Sequence, residues 1–232
     1  MREIIFDTET TGLNPLGGDR MVEIGCVEML NRVETGRHFH AYFNPDRDMP
    51  TDAEDVHGLS AIFLSDKPRF AEKAAELLEF IGDAPLVAHN ASFDFGFLNA
   101  ELDRCGLTGF GLNRMIDTLA LARTRHPGAK HSLDALCVRF GIDRSQRVKH
   151  GALLDAQLLA QVYVELTGGR QIGLGLVSHA QTVVVRTVEA AIVVRTPRPA
   201  RPHFAAEEEL ARHRAFISKL VNPLWERFAG VG

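Results

Sequence analysis

Cysteine, tryptophan and long apolar runs are scarce in this sequence. Its 232 residues include three cysteines and one tryptophan. Cys26, Cys105 and Cys137 are scattered without CxxC spacing, which argues against a disulfide framework and structural zinc and favours reduced thiols. No run reaches about 18 apolar residues, and the acidic N-terminus does not resemble a signal peptide. We therefore predict a soluble cytoplasmic protein that has no membrane partner.

A basic surplus and several enzyme motifs are also missing. The 26 Lys and Arg residues are outnumbered by 30 Asp and Glu, for a net charge of −4, so charge alone does not indicate nucleic-acid binding. The surplus acid lies in the first 168 residues, because nine Lys and Arg face five Asp and Glu from residue 169 onward. No G-x-x-x-x-G-K-[ST] or G-x-S-x-G pattern occurs, which excludes a P-loop and argues against an α/β-hydrolase triad.

The order of apolar patterns predicts one α/β domain with a mixed sheet flanked by helices. Strands are expected first, and helices then alternate with strands. Ser92 and Ser132 are predicted to cap the N-termini of two helices. The predicted strands cover residues 4–6, 21–30, 37–43 and 86–88, and the predicted helices cover residues 68–81, 92–105, 117–124, 132–140 and 153–166. We predict a body over residues 1–168, a linker over 169–204 and a helical tail over 205–232.

Carboxylates at predicted element ends are the first candidates for chemistry. Asp7 and Glu9 lie two residues apart on a predicted strand, and residues at this spacing point to the same side. Two buried carboxylates repel each other, and a divalent cation would offset that repulsion. A strand end that reaches solvent is the alternative explanation for such a pair. Asp94 falls in the first turn of a predicted helix, where the helix dipole alone favours an acid.

A third candidate pair combines His150 with Asp155. Asp155 lies in the first turns of the last predicted helix of the body, and His150 lies in the loop before it. An ordinary loop histidine is the alternative. Together with Asp7, Glu9 and Asp94, these residues form an acidic rim at the ends of elements that an α/β sheet brings together. Such a rim suits two Mg²⁺ or Mn²⁺ ions about 4 Å apart, which serve displacement at phosphorus.

Three segments resemble the three exonuclease motifs of the DEDDh superfamily of 3′–5′ exonucleases. They are Phe-Asp-Thr-Glu-Thr-Thr-Gly at 6–12, His-Asn-Ala-Ser-Phe-Asp at 89–94 and His-Gly-Ala-Leu-Leu-Asp-Ala at 150–156. More narrowly, the chain resembles the proofreading epsilon subunits of bacterial DNA polymerase III. The similarity runs from about residue 3 to 170 and includes segments 56–58, 66–68, 132–136 and 167–169. It implies a ribonuclease H-like exonuclease domain followed by a flexible C-terminal tail.

The resemblance also implies roles for these residues. Asp7, Glu9, Asp94 and Asp155 would hold two divalent metal ions, Mg²⁺ or Mn²⁺, and Asp7 would bridge them. His150 would be the general base for the attacking water, a role that histidine side chains often have in enzymes. The last phosphodiester would then be cleaved and a nucleoside monophosphate released from the 3′ end.

Further residues are expected to contact the substrate. His57 matches a substrate-contacting position of the family, whereas Asp52 lies where relatives carry Glu. The pocket for the terminal nucleotide would also be lined by Thr10, Leu13, Asn90 and Phe93. Local turn formation and core packing are the alternatives for these last four residues.

The segment after residue 168 resembles the tethering region of the same family. Gln171, Leu174 and Leu176 fit a sliding-clamp-binding peptide over residues 171–176, in which spaced aliphatic residues enter an apolar groove. Most relatives end this peptide with a bulkier residue than Leu176, and a plain linker is the alternative. Three aromatic residues of the tail are predicted to dock on the polymerase alpha subunit: Phe216, Trp225 and Phe228.

These features together predict a proofreading exonuclease of a bacterial replicative polymerase, located in the cytoplasm at the nucleoid. Its expected partners are DNA 3′ ends, the polymerase alpha subunit and the sliding clamp, and the sequence leaves open a small accessory subunit. One alternative is a free DEDDh exonuclease that acts on RNA or on DNA-repair ends. Another is a non-catalytic scaffold for the polymerase–clamp complex, which would have no physical need for the acidic rim.

Overall fold

The computed structural model describes residues 1–147, 149–169 and 205–221. Five strands form one mixed sheet in the order β3-β2-β1-β4-β5. The first three strands form an antiparallel meander, whereas β4 and β5 run parallel to β1. The strands are β1 (Arg2–Thr10), β2 (Met21–Leu30), β3 (Val33–Tyr42), β4 (Leu86–Ala88) and β5 (Met115–Asp117).

Helices fill the connections of the sheet and follow it. Among the described residues they are α1 (Thr51–His57), α2 (Ala61–Leu64), α3 (Phe70–Ile81), α4 (Ala91–Arg104), α5 (Thr118–Arg125), α6 (Leu133–Phe140), α7 (Ala152–Leu166) and α8 (Glu207–Ile217). The predicted mixed sheet flanked by helices is therefore confirmed.

Two apolar cores lie on opposite faces of the sheet. Alternate side chains of a strand point to opposite faces, so Ile4 and Phe6 of β1 pack with residues of α3 and α4. Ile5 packs on the other face with residues of α7 such as Leu159. This alternation continues toward the end of β1, which places Asp7 and Glu9 on the α7 face.

Gly25 allows α7 to approach the sheet closely. It lies opposite Asp7 in the antiparallel pairing of β1 with β2. A Cβ atom at Gly25 would lie 2.3 Å from the backbone of Leu153 in the first turn of α7. Because that clash involves backbone atoms, a side chain here would push away the turn that carries Asp155.

The structure corrects several predicted boundaries. Ser92 lies inside α4 and does not cap it, because the helix begins after Asn90, which has φ of 63° and makes no side-chain cap bond. Strand β3 begins at Val33 rather than at residue 37, since Asn31 and Arg32 both adopt positive φ in a two-residue hairpin turn. Short elements β5, α1 and α2 were not predicted, because three to seven residues carry too little periodicity.

Helix α8 confirms the helical character expected for residues 205–220. It belongs to a separate unit of the chain that begins at Ser178, and none of its residues is buried. Phe216 is 56% exposed. The clamp-binding residues Gln171, Leu174 and Leu176, and the aromatic residues Trp225 and Phe228, lie outside the described residues. Within the described part of the chain, no helix has the length and apolar character needed to cross a membrane.

Candidate active site

The carboxyl end of β1 and the first turn of α7 meet on one face of the sheet. Asp7 and Glu9 extend from β1 toward α7, where Asp155 is 2% exposed. Oxygen atoms of Glu9 and Asp155 and a ring nitrogen of His150 all lie within 4.8 Å of one another. Nδ1 of His150 lies 3.5 Å from Oδ2 of Asp155. The two motifs that are most distant in sequence are therefore adjacent in space.

Asp94 enters the same site from the opposite face of the sheet. Thr8, which lies between the two acids of β1, points to the α4 side, and its hydroxyl donates to Oδ1 of Asp94 at 2.8 Å. Asp94 lies in the first turn of α4 and is 3% exposed. This hydrogen bond fixes a carboxylate that has no ion-pair partner among the described residues.

One cavity of about 320 Å³ contains all five predicted catalytic residues: Asp7, Glu9, Asp94, His150 and Asp155. Asn90 and Phe93, two of the predicted pocket residues, also line it. The sheet ends therefore converge as the sequence predicts, although the roles of the residues stay predictions.

Burial makes negative charge costly in this cavity. It raises the pKa of Glu9 to about 8, with further contributions from the nearby carboxylates of Glu23 and Asp155. It raises the pKa of Asp94 to about 7, against the opposing hydrogen bond from Thr8. The pKa of Asp7 is also well above its usual range, because of burial and then of repulsion from Asp94 and Glu9. The site thus holds more buried negative charge than its protein surroundings neutralise.

Arg147 is a functional candidate that sequence reasoning missed. Its guanidinium binds Asp155 with two hydrogen bonds, from Nε at 2.5 Å and from Nη2 at 2.7 Å. Nη2 also lies 2.9 Å from Nδ1 of His150, and Nη1 lies 3.1 Å from Asp134. The sequence offered only a weak signal, since Arg147 is one of three cations in the six residues before His150. Arg147 supplies the nearest positive charge to Asp155 and contacts His150 as well.

His89 is a second residue of the cavity that was not predicted. Its Nδ1 lies 2.9 Å from the hydroxyl of Thr118, which donates in turn to the carbonyl of Ala88. The backbone N–H of Asn90 donates to Asp117 at 3.1 Å. The N-terminal residues of α5 therefore hold the loop that leads into α4 and Asp94.

Four predicted substrate residues do not line this cavity. Thr10 is buried, Leu13 is 83% exposed, and Asp52 lies exposed in the first turn of α1. His57 is buried, and its Nδ1 accepts the backbone N–H of Leu59 at 3.0 Å. Its Nε2 is the only buried side-chain nitrogen or oxygen atom of the described residues without a hydrogen-bond partner.

The donor set of the cavity fits hard divalent cations. Four carboxylates and one imidazole offer mainly oxygen ligands, which Mg²⁺ and Mn²⁺ prefer, and no thiol lies among them. The raised pKa values of Asp7, Glu9 and Asp94 indicate uncompensated negative charge that bound cations would offset. On these grounds, Asp7, Glu9, Asp94 and Asp155 are suitable ligands.

Comparison with known proteins decides the family. The model of a family described as Exonuclease, of the RNase T type, matches residues 4–163. The chain belongs to this exonuclease family. The match contains all three segments on which the resemblance was stated, so the predicted family is confirmed. Family membership implies divalent metal ions, which agrees with the donor set of the cavity.

The relatives of this exonuclease extend the similarity into its C-terminal region. The epsilon subunit of DNA polymerase III from Rickettsia felis is 49% identical, covering 95% of this chain and 97% of the relative. The epsilon subunit of Escherichia coli K12 is 45% identical, covering 92% of this chain and 91% of the relative. The similarity therefore includes the region that follows the exonuclease domain.

Solved structures support the fold. Exonuclease X in complex with 5′ overhanging duplex DNA matches with a TM-score of 0.56 and 27% identity, covering 71% of this chain and 90% of that one. The nuclease domain of 3′hExo, a DEDDh family member bound to rAMP, matches with a TM-score of 0.62 and 18% identity, covering 72% of this chain and 91% of that one. The second likeness shows the shared fold alone.

Proposed function

We propose that this exonuclease is the 3′–5′ proofreading subunit of a replicative DNA polymerase III. The observation that carries the proposal is the single cavity that contains Asp7, Glu9, Asp94, His150 and Asp155. It occurs in a chain that is similar over nearly its whole length to epsilon subunits. The substrate would be the 3′ end of a DNA strand, and the product a nucleoside monophosphate.

The side chains of the cavity have three proposed roles: metal binding, proton transfer and contact with the terminal nucleotide. Asp7, Glu9, Asp94 and Asp155 would hold two divalent ions, Mg²⁺ or Mn²⁺, which would supply charge stabilisation to the attacking and leaving oxygens. His150 is exposed at the edge of the cavity, so it can accept a proton from the attacking water and pass it to solvent. Asn90 and Phe93 border the space for the terminal nucleotide.

His57 is proposed to contact the substrate through Nε2. In the neutral ring, one nitrogen accepts and the other donates. Because Nδ1 accepts from Leu59, neutral His57 carries its proton on Nε2, which lacks an acceptor in the described part of the chain. A buried donor without a partner is costly, and a phosphate or sugar oxygen would satisfy it. Thr10, Leu13 and Asp52 are also still proposed to lie beside the bound DNA strand.

The C-terminal region is proposed to tether the exonuclease. The exonuclease domain would cover residues 1–168, the linker 169–204 with a clamp-binding peptide at 171–176, and the docking segment 205–232. Helix α8 presents Leu210 and Phe216 at 40% and 56% exposure, which leaves apolar surface for the polymerase alpha subunit. Tethering raises local concentration, so weak binding to DNA suffices. Such an assembly would act in the bacterial cytoplasm.

The central experiment compares the full chain with an Asp7→Ala/Glu9→Ala variant in Mg²⁺. The substrates are single-stranded DNA, duplex DNA with a 3′ mispair, and RNA of the same sequence. The wild type should shorten 5′-labelled DNA from its 3′ end and release nucleoside monophosphates, whereas the variant should be inactive. Absence of wild-type activity would refute the enzyme proposal, and much faster cleavage of RNA would refute proofreading.

A second experiment tests the tether. The full chain and a truncation that lacks residues 205–232 are used to capture the polymerase alpha subunit. Docking predicts that the truncated chain captures much less polymerase and keeps its exonuclease activity. Equal capture by the two chains would refute the docking segment. A Gln171→Ala/Leu174→Ala variant assayed against the sliding clamp tests the peptide at 171–176 separately.

A further inference from the structure

The positive charge of the body is concentrated in one stretch of sequence. Residues 118–149 contain seven Lys and Arg against two Asp, whereas residues 1–117 contain ten Lys and Arg against 21 Asp and Glu. The basic stretch includes helices α5 and α6 and the loop that leads to His150. An acidic protein therefore carries a local basic surface immediately before its third motif.

Four of these seven cations also differ from the others in their contacts. Elsewhere in the described part of the body, each Lys or Arg side chain binds a carboxylate or a backbone carbonyl, as Arg20 binds Glu101 and Arg114 binds Ala84. Four side chains make no hydrogen bond, ion pair or ring contact with a described residue, and all four are exposed: Arg123, Arg125, Lys130 and Arg139. Their charge is therefore available to an external anion.

A groove connects these cations to the catalytic cavity. Lys130, Arg139 and Arg144 line a groove of about 610 Å³ together with Ser132 and Asp134. Ser132 and Asp134 line the catalytic cavity as well, so the two spaces share a wall. Asp134 is occupied by Arg144 at 2.7 Å, which leaves Lys130 and Arg139 as the charges of the groove that have no partner among the described residues.

Arg123 adds a further positive charge close enough to His89 to act on it. The pKa of His89 is lowered mainly by burial and to a smaller degree by nearby cations. His89 lines the catalytic cavity. Free cations therefore occur both at the groove and beside His89, next to a cavity that is itself acidic.

We propose that the basic surface of this groove, formed by Lys130 and Arg139, binds the phosphates of the single strand upstream of its 3′-terminal nucleotides. The catalytic cavity, of about 320 Å³, has room for only one or two terminal nucleotides. The rest of the DNA strand therefore has to cross the protein surface outside the cavity. The groove offers unpaired cations at that exit. This inference rests on the proposed function, because it assumes a nucleic-acid strand whose 3′ end enters the cavity.

The test measures binding of 5′-labelled oligothymidylates of two and twelve nucleotides by fluorescence anisotropy, in EDTA to prevent cleavage. The full chain is compared with Lys130→Gln/Arg139→Gln. The control is Arg69→Gln/Lys73→Gln, which removes the same charge around the start of α3. We expect the groove variant to bind the twelve-mer about twentyfold more weakly at 0.1 M salt, because each phosphate contact on a single strand contributes a salt slope of about 0.7.

Three readouts decide the outcome. The slope of log affinity against log salt should fall by about 1.4 in the groove variant, because two contacts are lost, and it should stay unchanged in the control. The groove variant should bind the two-nucleotide oligothymidylate as tightly as the wild type does, and should cleave it at the wild-type rate in Mg²⁺. Equal twelve-mer affinity and slope in the groove variant and the wild type would overturn the inference. If the wild type neither binds nor shortens DNA, the proposed function fails instead.

Discussion

The acidic cavity and the neighbouring basic surface handle charge in opposite ways. Asp94 and Asp155 are almost fully buried and held by Thr8 and Arg147, whereas Lys130 and Arg139 are exposed and unpaired among the described residues. Buried charge is costly and demands a specific partner, whereas exposed charge is screened and accepts a variable one. A cavity built for fixed cations therefore lies beside a surface suited to a mobile strand.

Replacing His150 should distinguish the roles of the acidic cavity and the basic surface most clearly, and it has the largest expected effect. We expect His150→Gln to lower kcat by on the order of 10²- to 10⁴-fold, because a general base contributes that much, and to leave twelve-mer affinity within about twofold. The groove variant Lys130→Gln/Arg139→Gln should instead bind the twelve-mer more weakly and keep the wild-type kcat. Single-turnover rates and anisotropy on the same preparations measure both effects. His38→Gln, on the exposed part of β3, is the control, and a kcat within tenfold of wild type would contradict the assignment.

Arg147 contacts the buried Asp155 of the acidic cavity. Replacing Arg147 therefore tests how much a specific partner for this buried charge contributes to stability. Replacing Arg147 with Gln leaves Asp155 without its bidentate partner, so we expect the ion-free protein to lose about 3 kcal/mol of unfolding free energy. Urea denaturation in EDTA measures the loss, and saturating Mg²⁺ should reduce it, because a bound cation replaces the missing charge.

Arg144→Gln is the matched control for Arg147. Arg144 binds the partly exposed carboxylate of Asp134 and does not contact Asp155, so its loss should cost less than about 1 kcal/mol. Equal effects of the two variants would show that the pair of Arg147 with Asp155 contributes no more than an exposed ion pair. A loss at Arg147 that Mg²⁺ does not change would contradict the idea that a bound cation replaces its charge.

The smallest expected effect is the pH dependence of ion-free stability. The folded chain retains protons on Glu9 up to about pH 8 and on Asp94 up to about pH 7, whereas unfolded carboxyls lose them near pH 4. The folded state thus binds more protons across this window, so the unfolding free energy falls as pH rises from about 4 to 8. Relative to Glu9→Gln, wild type in EDTA should lose more than about 1 kcal/mol over that range.

Urea denaturation of wild type and Glu9→Gln at pH 5.5, 7 and 8.5 checks this sign. The stability difference between the two proteins should widen with pH in EDTA and shrink when Mg²⁺ is added. A difference that stays constant with pH would mean that Glu9 ionises normally, and that the cavity is better hydrated than its burial indicates.

The amino-acid order alone was enough to predict the main strands, the long helices and all five catalytic candidates. Strand β1 and helix α7 carry strong apolar patterns, and Asp7, Glu9 and Asp155 interrupt those patterns at element ends. The short elements β5, α1 and α2 escaped prediction because their conformation depends on neighbours. The start of helix α4 was also predicted incorrectly. Ser92 was expected to cap the helix, whereas the helix begins after Asn90, which adopts a positive φ.

Two features emerged only from the tertiary structure. Arg147 is an unremarkable cation in the sequence, and only the structure shows that its guanidinium contacts both Asp155 and His150. Likewise, composition does not show that Lys130 and Arg139 lack partners within the described part of the chain, because acids that are close in sequence need not be close in space. Residue types and periodicity follow from local order, whereas pairing and burial of charge depend on which distant segments meet.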